Sequence, residues 1–97
     1  VQNNTNWDLI TDYHFGGYAK VNQELIAFIN LFNVENKILL DPIYTGKMAF
    51  GVIDMIRASN FPPKSNILLI HTGGIQCIQG MNMKLKNKQL PTIDIDV

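Results

Sequence analysis

Apolar side chains recur at three- and four-residue spacing along Leu25, Ile26, Ile29 and Phe32, the period of an α-helix buried on one face. Asn22 stands ahead of them as a candidate N-cap, Glu24 falls in the first turn, and Asn33 offers a stop. A second helix is predicted to open at Thr45 or Gly46. Its apolar positions, Met48, Ala49, Val52, Ile53, Met55 and Ile56, spread around more than half the circumference, as in a helix buried between a sheet and another layer. Gly51 inside it costs ~1 kcal/mol against Ala and is expected to admit a close neighbouring backbone. Ile75, Ile78, Met81 and Leu85 predict a third helix, interrupted near Gly80. Between the helices the pattern changes. Residues 38–40 and 67–70 are short, continuously apolar runs, as strands covered on both faces would be. Residues 7–12, with Trp7, Leu9 and Ile10, predict a further short strand, and residues 90–97 alternate like an edge strand or extended arm. The paired glycines of residues 13–18 predict an aromatic loop that either lines a pocket or is pinned to the core by Tyr13 and Phe15. This succession predicts an α/β class, a three-layer fragment with a parallel sheet and right-handed crossovers.

Composition narrows the function classes. The 97 residues suit one small domain or a piece of a larger one. Hydrophobic residues make up 46% and charged residues 16%, a balance expected of a fragment whose apolar surfaces meet something else. Lys plus Arg and Asp plus Glu stand at 8 each, so no net field steers a polyanion or membrane, and nucleic-acid binding is disfavoured. Lys84, Lys86 and Lys88 form a charge run read as a solvated helix end. The single cysteine, Cys77, excludes an internal disulfide and suits a reducing compartment. No stretch approaches the ~20 apolar residues of a membrane span, and residues 1–6 lack the pattern of a secretory signal. A cytoplasmic protein is expected, and the start at Val1 rather than Met fits an internal start or a processed product.

Open parallel sheets bind ligands beyond the carboxyl ends of their strands, which puts the candidate site at residues 39–51 and 70–74. Thr72-Gly73-Gly74 resembles half of a phosphate loop, yet neither G-x-x-x-x-G-K nor G-x-G-x-x-G is present. His71 reads as a satisfied histidine or a general base. Tyr18 and Tyr44 read as packing residues with wet tips, or as acid/base and hydrogen-bonding groups. Lys47 could be an amine nucleophile, but the first turn of a helix suggests a solvated face. Glu24, Glu35 and Asp54 do not pair by spacing, and no cluster supports a metal.

The string Leu40-Asp41-Pro42-Ile43-Tyr44-Thr45-Gly46-Lys47, then Gly51-x-Ile53-Asp54, then Ile70-His71-Thr72-Gly73-Gly74, resembles the C-terminal third of the 1-aminocyclopropane-1-carboxylate deaminase and D-cysteine desulfhydrase family. These are pyridoxal-phosphate enzymes of the tryptophan-synthase β-like fold. The resemblance spans roughly residues 13–74. It implies catalytic roles for Tyr18, in the aromatic and glycine loop, and for Tyr44, both on the substrate side of the cofactor. It implies that Thr72, with Gly73 beside it, binds the cofactor by a hydrogen bond to the pyridine nitrogen, where a hydroxyl moderates the ring as an electron sink. Thr45 sits where the deaminase branch has a glutamate near that nitrogen, which favours the desulfhydrase-like branch or a relative with another small amino-acid substrate.

The resemblance further implies that residues 1–97 are the C-terminal part of the large cofactor-binding domain. The Schiff-base lysine and the phosphate loop have no match here, and Lys47 does not fall on that lysine, so pyridoxal 5'-phosphate would be held covalently from outside the chain. The implied partners are a small amino-acid substrate, the remainder of the parent polypeptide and a second copy in a homodimer. The implied products are ammonia and a 2-oxo acid. The alternative is a non-catalytic α/β fragment or a small-ligand module stable only with its parent or an oligomer. In the first case the phenol of Tyr44 and the hydroxyl of Thr72 are expected to leave neighbouring strands at the same end and face one cavity.

Overall fold

The computed structural model of the chain describes residues 9–95. Within them lie three α-helices, α1 (Gln23–Asn36), α2 (Thr45–Arg57) and α3 (Ile78–Asn87), with a 3-10 turn, Ile75–Cys77, leading into α3. No strand or sheet occurs among the described residues, which overturns the expected α/β parallel-sheet fragment. The physical reason lies in the two apolar runs. Short runs of this kind are not distinguished from other apolar segments by periodicity alone, and a strand also needs a neighbouring backbone to pair with. Here the Leu39 carbonyl, which a ladder would use, accepts instead from His71 Nε2 at 2.8 Å. The side chains expected under two covering layers face outward: Leu68 is 84% exposed, Ile70 65% and Ile38 45%.

The helices follow their local signals closely. Asn22 caps α1, its side-chain oxygen accepting from the Leu25 N–H at 2.8 Å, a contact of about 1 kcal/mol. The helix runs past Asn33 to Lys37, whose left-handed backbone lets its N–H donate to the Asn33 carbonyl at 2.8 Å. Gly80 lies inside α3 without interrupting it. Leu25, Ile26 and Ile29 of α1, Ala49 of α2, Ile78, Met81 and Leu85 of α3, and Leu40 and Ile93 from the connecting segments form the buried core. Phe50 adds a second layer, meeting Phe15 edge-on at 4.9 Å and Phe28 at 5.3 Å.

Two asparagines do for the C-terminal segment what a strand neighbour would have done. Asn82 accepts from the Ile93 N–H and donates to the Ile93 carbonyl, and Asn30 accepts from the Asp94 N–H and donates to the Thr92 carbonyl, all at 2.7–2.9 Å. A side-chain amide presents the same donor and acceptor as a peptide, so Ile93 is buried without a ladder. Trp7 of the expected first strand and residues 96–97 of the expected arm lie outside the described residues.

Gly51 faces a side chain, not the expected backbone. A Cβ there would stand 2.8 and 2.9 Å from Tyr13 Cδ2 and Cγ, and the Tyr13 hydroxyl donates to Asp54 Oδ2 at 2.8 Å. Gly51→Ala gains ~1 kcal/mol of helix propensity and loses about 2 kcal/mol to overpacking, so urea unfolding should report a net destabilisation of about 1 kcal/mol. The bond to Asp54 holds the Tyr13 phenol above its ordinary range, and its titration should move down as the ring is displaced. A stabilised variant with an unchanged Tyr13 titration would contradict this packing.

Candidate functional site

The turn into α2 is organised by one carboxylate. Pro42 has no N–H to offer, and Asp41 folds back over the next three residues. Its Oδ1 accepts from the N–H groups of Ile43 and Tyr44 at 2.8 and 2.7 Å, and its Oδ2 accepts from the Thr45 N–H at 3.0 Å and the Thr45 hydroxyl at 2.6 Å. Thr45 Oγ1 in turn accepts from the Asp41 N–H at 2.9 Å, and the Asp41 carbonyl accepts from Gly46 N–H at 2.7 Å. Burial alone would raise the Asp41 pKa. The Thr45 hydroxyl and the three backbone N–H groups outweigh it and hold the carboxyl below its ordinary range. The carboxylate thus takes the N–H of Thr45, the first residue of α2, and the Asp41 carbonyl takes that of Gly46. Thr45, 2% exposed, has its hydroxyl engaged in both directions.

Tyr44 is the N-cap residue of α2 and is exposed, as is Tyr18. The rings stand 6.2 Å apart at 59°. The neighbouring Tyr18 phenol pushes the Tyr44 phenol above its ordinary range, with burial and the charges of Asp41 and Cys77 acting in the same direction. Tyr18 arrives on a loop with unusual backbone: Phe15, Gly16, Gly17 and Ala19 all have positive φ, at 55°, 96°, 122° and 59°. For the two non-glycine residues that geometry costs about 1 kcal/mol each, and it persists only where surrounding contacts enforce it. Lys47 is one of those contacts. Its side chain, 8% exposed, donates from Nζ to the His14 carbonyl at 2.8 Å and the Gly17 carbonyl at 2.9 Å. The solvated lysine expected at the start of α2 is thus buried, and burial lowers its pKa.

The turn at residues 71–74 comes up to the same place. His71 Nδ1 accepts from the Gly73 N–H at 3.0 Å, which leaves Nε2 as the protonated nitrogen donating to the Leu39 carbonyl. His71 is satisfied, although exposed. Gly74 at φ 81° brings its Cα against Asp41, and a Cβ there would meet Asp41 Oδ2 at 3.2 Å. Gly73 at φ 91° faces open space, and the exposed Thr72 hydroxyl makes no hydrogen bond to the other described residues. Cys77 follows, its thiol pushed up by burial and by the charge of Asp41, which keeps it protonated and poorly nucleophilic.

The structure therefore brings Tyr18 and Tyr44 together and joins the two motifs through Asp41 and Gly74. It leaves Thr72 and Gly73 on an open surface and encloses Thr45. A cavity of about 420 Å³ lies along α2, lined by Tyr13, His14, Lys47, Gly51 and Met55 among others, and one of about 140 Å³ is lined by Leu40, Leu69 and His71 among others. Neither is lined by Tyr18, Tyr44, Thr72 or Gly73. No group of three or more His, Cys, Asp or Glu side chains among the described residues could hold a metal ion. Asp41 was not singled out from the sequence as a site residue, although Asp-Pro just ahead of a helix start is a turn signal that points to it. Lys47 carried no such signal, because its partners lie some 30 residues earlier in the chain.

No protein-family model matches the chain, and no solved structure does. Curated proteins do. Over 70 residues, 72% of this chain, it is 44% identical to a D-cysteine desulfhydrase of Klebsiella pneumoniae. Over 88 residues, 89% of the chain, it is 33% identical to a 1-aminocyclopropane-1-carboxylate deaminase of Ralstonia pickettii, and over 82 residues 32% identical to one of Ralstonia nicotianae. The matched segment is 20%, 26% and 24% of those proteins, so the chain spans about a fifth to a quarter of the length of the curated relatives it matches.

Proposed function

The chain belongs to the 1-aminocyclopropane-1-carboxylate deaminase and D-cysteine desulfhydrase family, and from that premise we propose that it supplies the substrate-side wall of a pyridoxal-phosphate site in an enzyme that converts a small amino acid to ammonia and a 2-oxo acid. The observation that carries the reading is the exposed Tyr18–Tyr44 pair standing beside the Asp41–Gly74 contact. A phenol is protonated at neutral pH and can donate a hydrogen bond to substrate. Tyr44 has that role here, with Tyr18 orienting it.

The residues present fit one side of the cofactor. Thr72 offers a hydroxyl with no hydrogen-bond partner among the described residues, and Gly73 lets a flat ring approach the backbone closely. The buried Thr45 hydroxyl is already engaged with Asp41, so Thr72 is the group we assign to the pyridine nitrogen and Thr45 the group that holds the turn. The cofactor, when bound, supplies an electron sink for the substrate α-carbon. Its phosphate and its lysine are assigned to polypeptide outside the described residues, because Asp41 fills the start of α2 and Lys47 is committed to two carbonyls. In this reading residues 1–97 are part of the cofactor-binding domain. The exposed Leu31, Val34, Ile38, Leu68 and Ile70 favour burial against the rest of the polypeptide, and a second copy completes a cytoplasmic homodimer. A second reading, a small-ligand module without catalysis, draws on the 420 Å³ cavity along α2.

The test uses the full-length protein loaded with pyridoxal phosphate. D-cysteine or the cyclopropane amino acid should shift its visible absorbance and release ammonia. Thr72→Ala should alter that spectrum while stability stays within ~0.5 kcal/mol, as for an exposed side chain. Absence of any shift with either amino acid, or an unaltered Thr72→Ala spectrum, would overturn the assignment. Saturable binding with no ammonia released would favour the second reading.

A further inference from the structure

One turn of α2 carries Tyr44 directly and holds the loop of Tyr18 through a side chain three residues later. We infer that Lys47 is a positioning residue whose ammonium ties the carbonyls of His14 and Gly17 to the first turn of α2 and thereby sets the Tyr18 phenol against that of Tyr44. The geometry stands on its own, and only its consequence for catalysis rests on the proposed function.

The loop has strong reason to open without this tie. Positive φ at Phe15 and Ala19 disfavours its conformation, and its own bonds are local: Gly17 N–H to the His14 carbonyl at 3.1 Å, Gly16 N–H to His14 Nδ1 at 3.0 Å, and Lys20 N–H to the Gly17 carbonyl at 3.1 Å. Those bonds close the loop on itself, and Tyr13 on Asp54 and Phe15 on Phe50 anchor its first half to α2. The Lys47 ammonium reaches on to Gly17, next to Tyr18, taking the His14 and Gly17 carbonyls at once with two of its three donors. Burying an ammonium is unfavourable unless it is hydrogen-bonded, so the side chain gains from the loop being closed over it, just as the loop gains from the side chain. Asp41 fixes the same helical turn from the other direction through the N–H groups of Tyr44 and Thr45. The two phenols are therefore set by one rigid element, although they lie 26 residues apart in the chain.

The readout is the phenol itself. In the full-length protein without substrate, Tyr44→meta-fluorotyrosine followed by fluorine NMR reports the ionisation of that one ring, which faces Tyr18, Asp41 and Cys77. Lys47→Met removes the ammonium while keeping the aliphatic stem. It should lower the ionisation midpoint to that of the Tyr18→Phe protein, and the double variant should go no lower. Lys47→Arg, which restores two donors, should return most of the shift. A folded Lys47→Met protein with the parent midpoint would overturn the inference. If Lys47→Met fails to fold, reductive methylation of the parent protein decides it: Lys47 should be protected relative to the exposed Lys64 and Lys86, and labelling at their rate would overturn the clamp. These measurements need neither cofactor nor turnover, so a protein that behaves as expected yet releases no ammonia would fail the proposed function and leave the role of Lys47 standing.

Discussion

Asp41→Ala is expected to destabilise the protein by about 4 kcal/mol. The carboxylate accepts three backbone N–H groups and one hydroxyl in a setting where its side chain is almost wholly buried. Hydrogen bonds to an ionised group contribute about 1.5–3 kcal/mol each, and donors left unpaired in a buried site add their own penalty. Partial rehydration at the helix start keeps the total below the sum. Against a typical stability of about 5–15 kcal/mol, the loss is large enough to be plain in urea unfolding. Asp41→Asn should cost less, since its amide oxygen can still accept from Ile43 and Tyr44.

The same contact gives a pH signature with a definite sign. The folded-state pKa of Asp41 is lowered, so its contribution to stability is fully present above the unfolded value of about 3.9 and disappears as pH falls through the folded value. The parent protein should therefore lose stability below about pH 4 more steeply than the Asp41→Asn protein. Equal acid limbs in the two proteins would show that this carboxylate is not held as described.

What the sequence makes legible here is local. Asn22 and Thr45 carry helix-start chemistry in their side chains, and α1 and α2 begin where those residues say. The likeness carried by residues 40–47 and 70–74 was legible as well, because closely spaced motifs with turn-forming residues survive as strings. The strands were misjudged for a reason that is also physical. Apolar content at residues 38–40 and 67–70 says that the segments avoid water, but pairing is decided by which backbone lies alongside, and here a histidine ring takes the carbonyl of Leu39. Contacts between distant side chains and backbone were equally illegible. Nothing near Lys47 announces carbonyls at positions 14 and 17, and nothing near Ile93 announces the amides of Asn30 and Asn82.

Gly46→Ala is expected to cost about 2–3 kcal/mol, more than the same change at Gly51, and the comparison isolates the reason. Both substitutions gain similar helix propensity. At Gly51 the new methyl meets a tyrosine ring that can swing away. At Gly46 it would stand 2.6 Å from the Asp41 carbonyl oxygen and 2.8 Å from Ile29 Cδ1. That carbonyl is the acceptor for the Gly46 N–H, on a residue whose own N–H and carboxylate are tied to Thr45, and Ile29 is wholly buried in α1. Neither neighbour can yield without moving a helix or undoing the turn. Relief must therefore come from the first turn of α2, which carries Tyr44 and Lys47. The variant should show a lower urea midpoint together with a lower Tyr44 ionisation midpoint, because the pairing with Tyr18 is disturbed by the same displacement. A Gly46→Ala protein as stable as its parent would mean that α1, α2 and the Asp41 turn do not meet as closely as the structure has them.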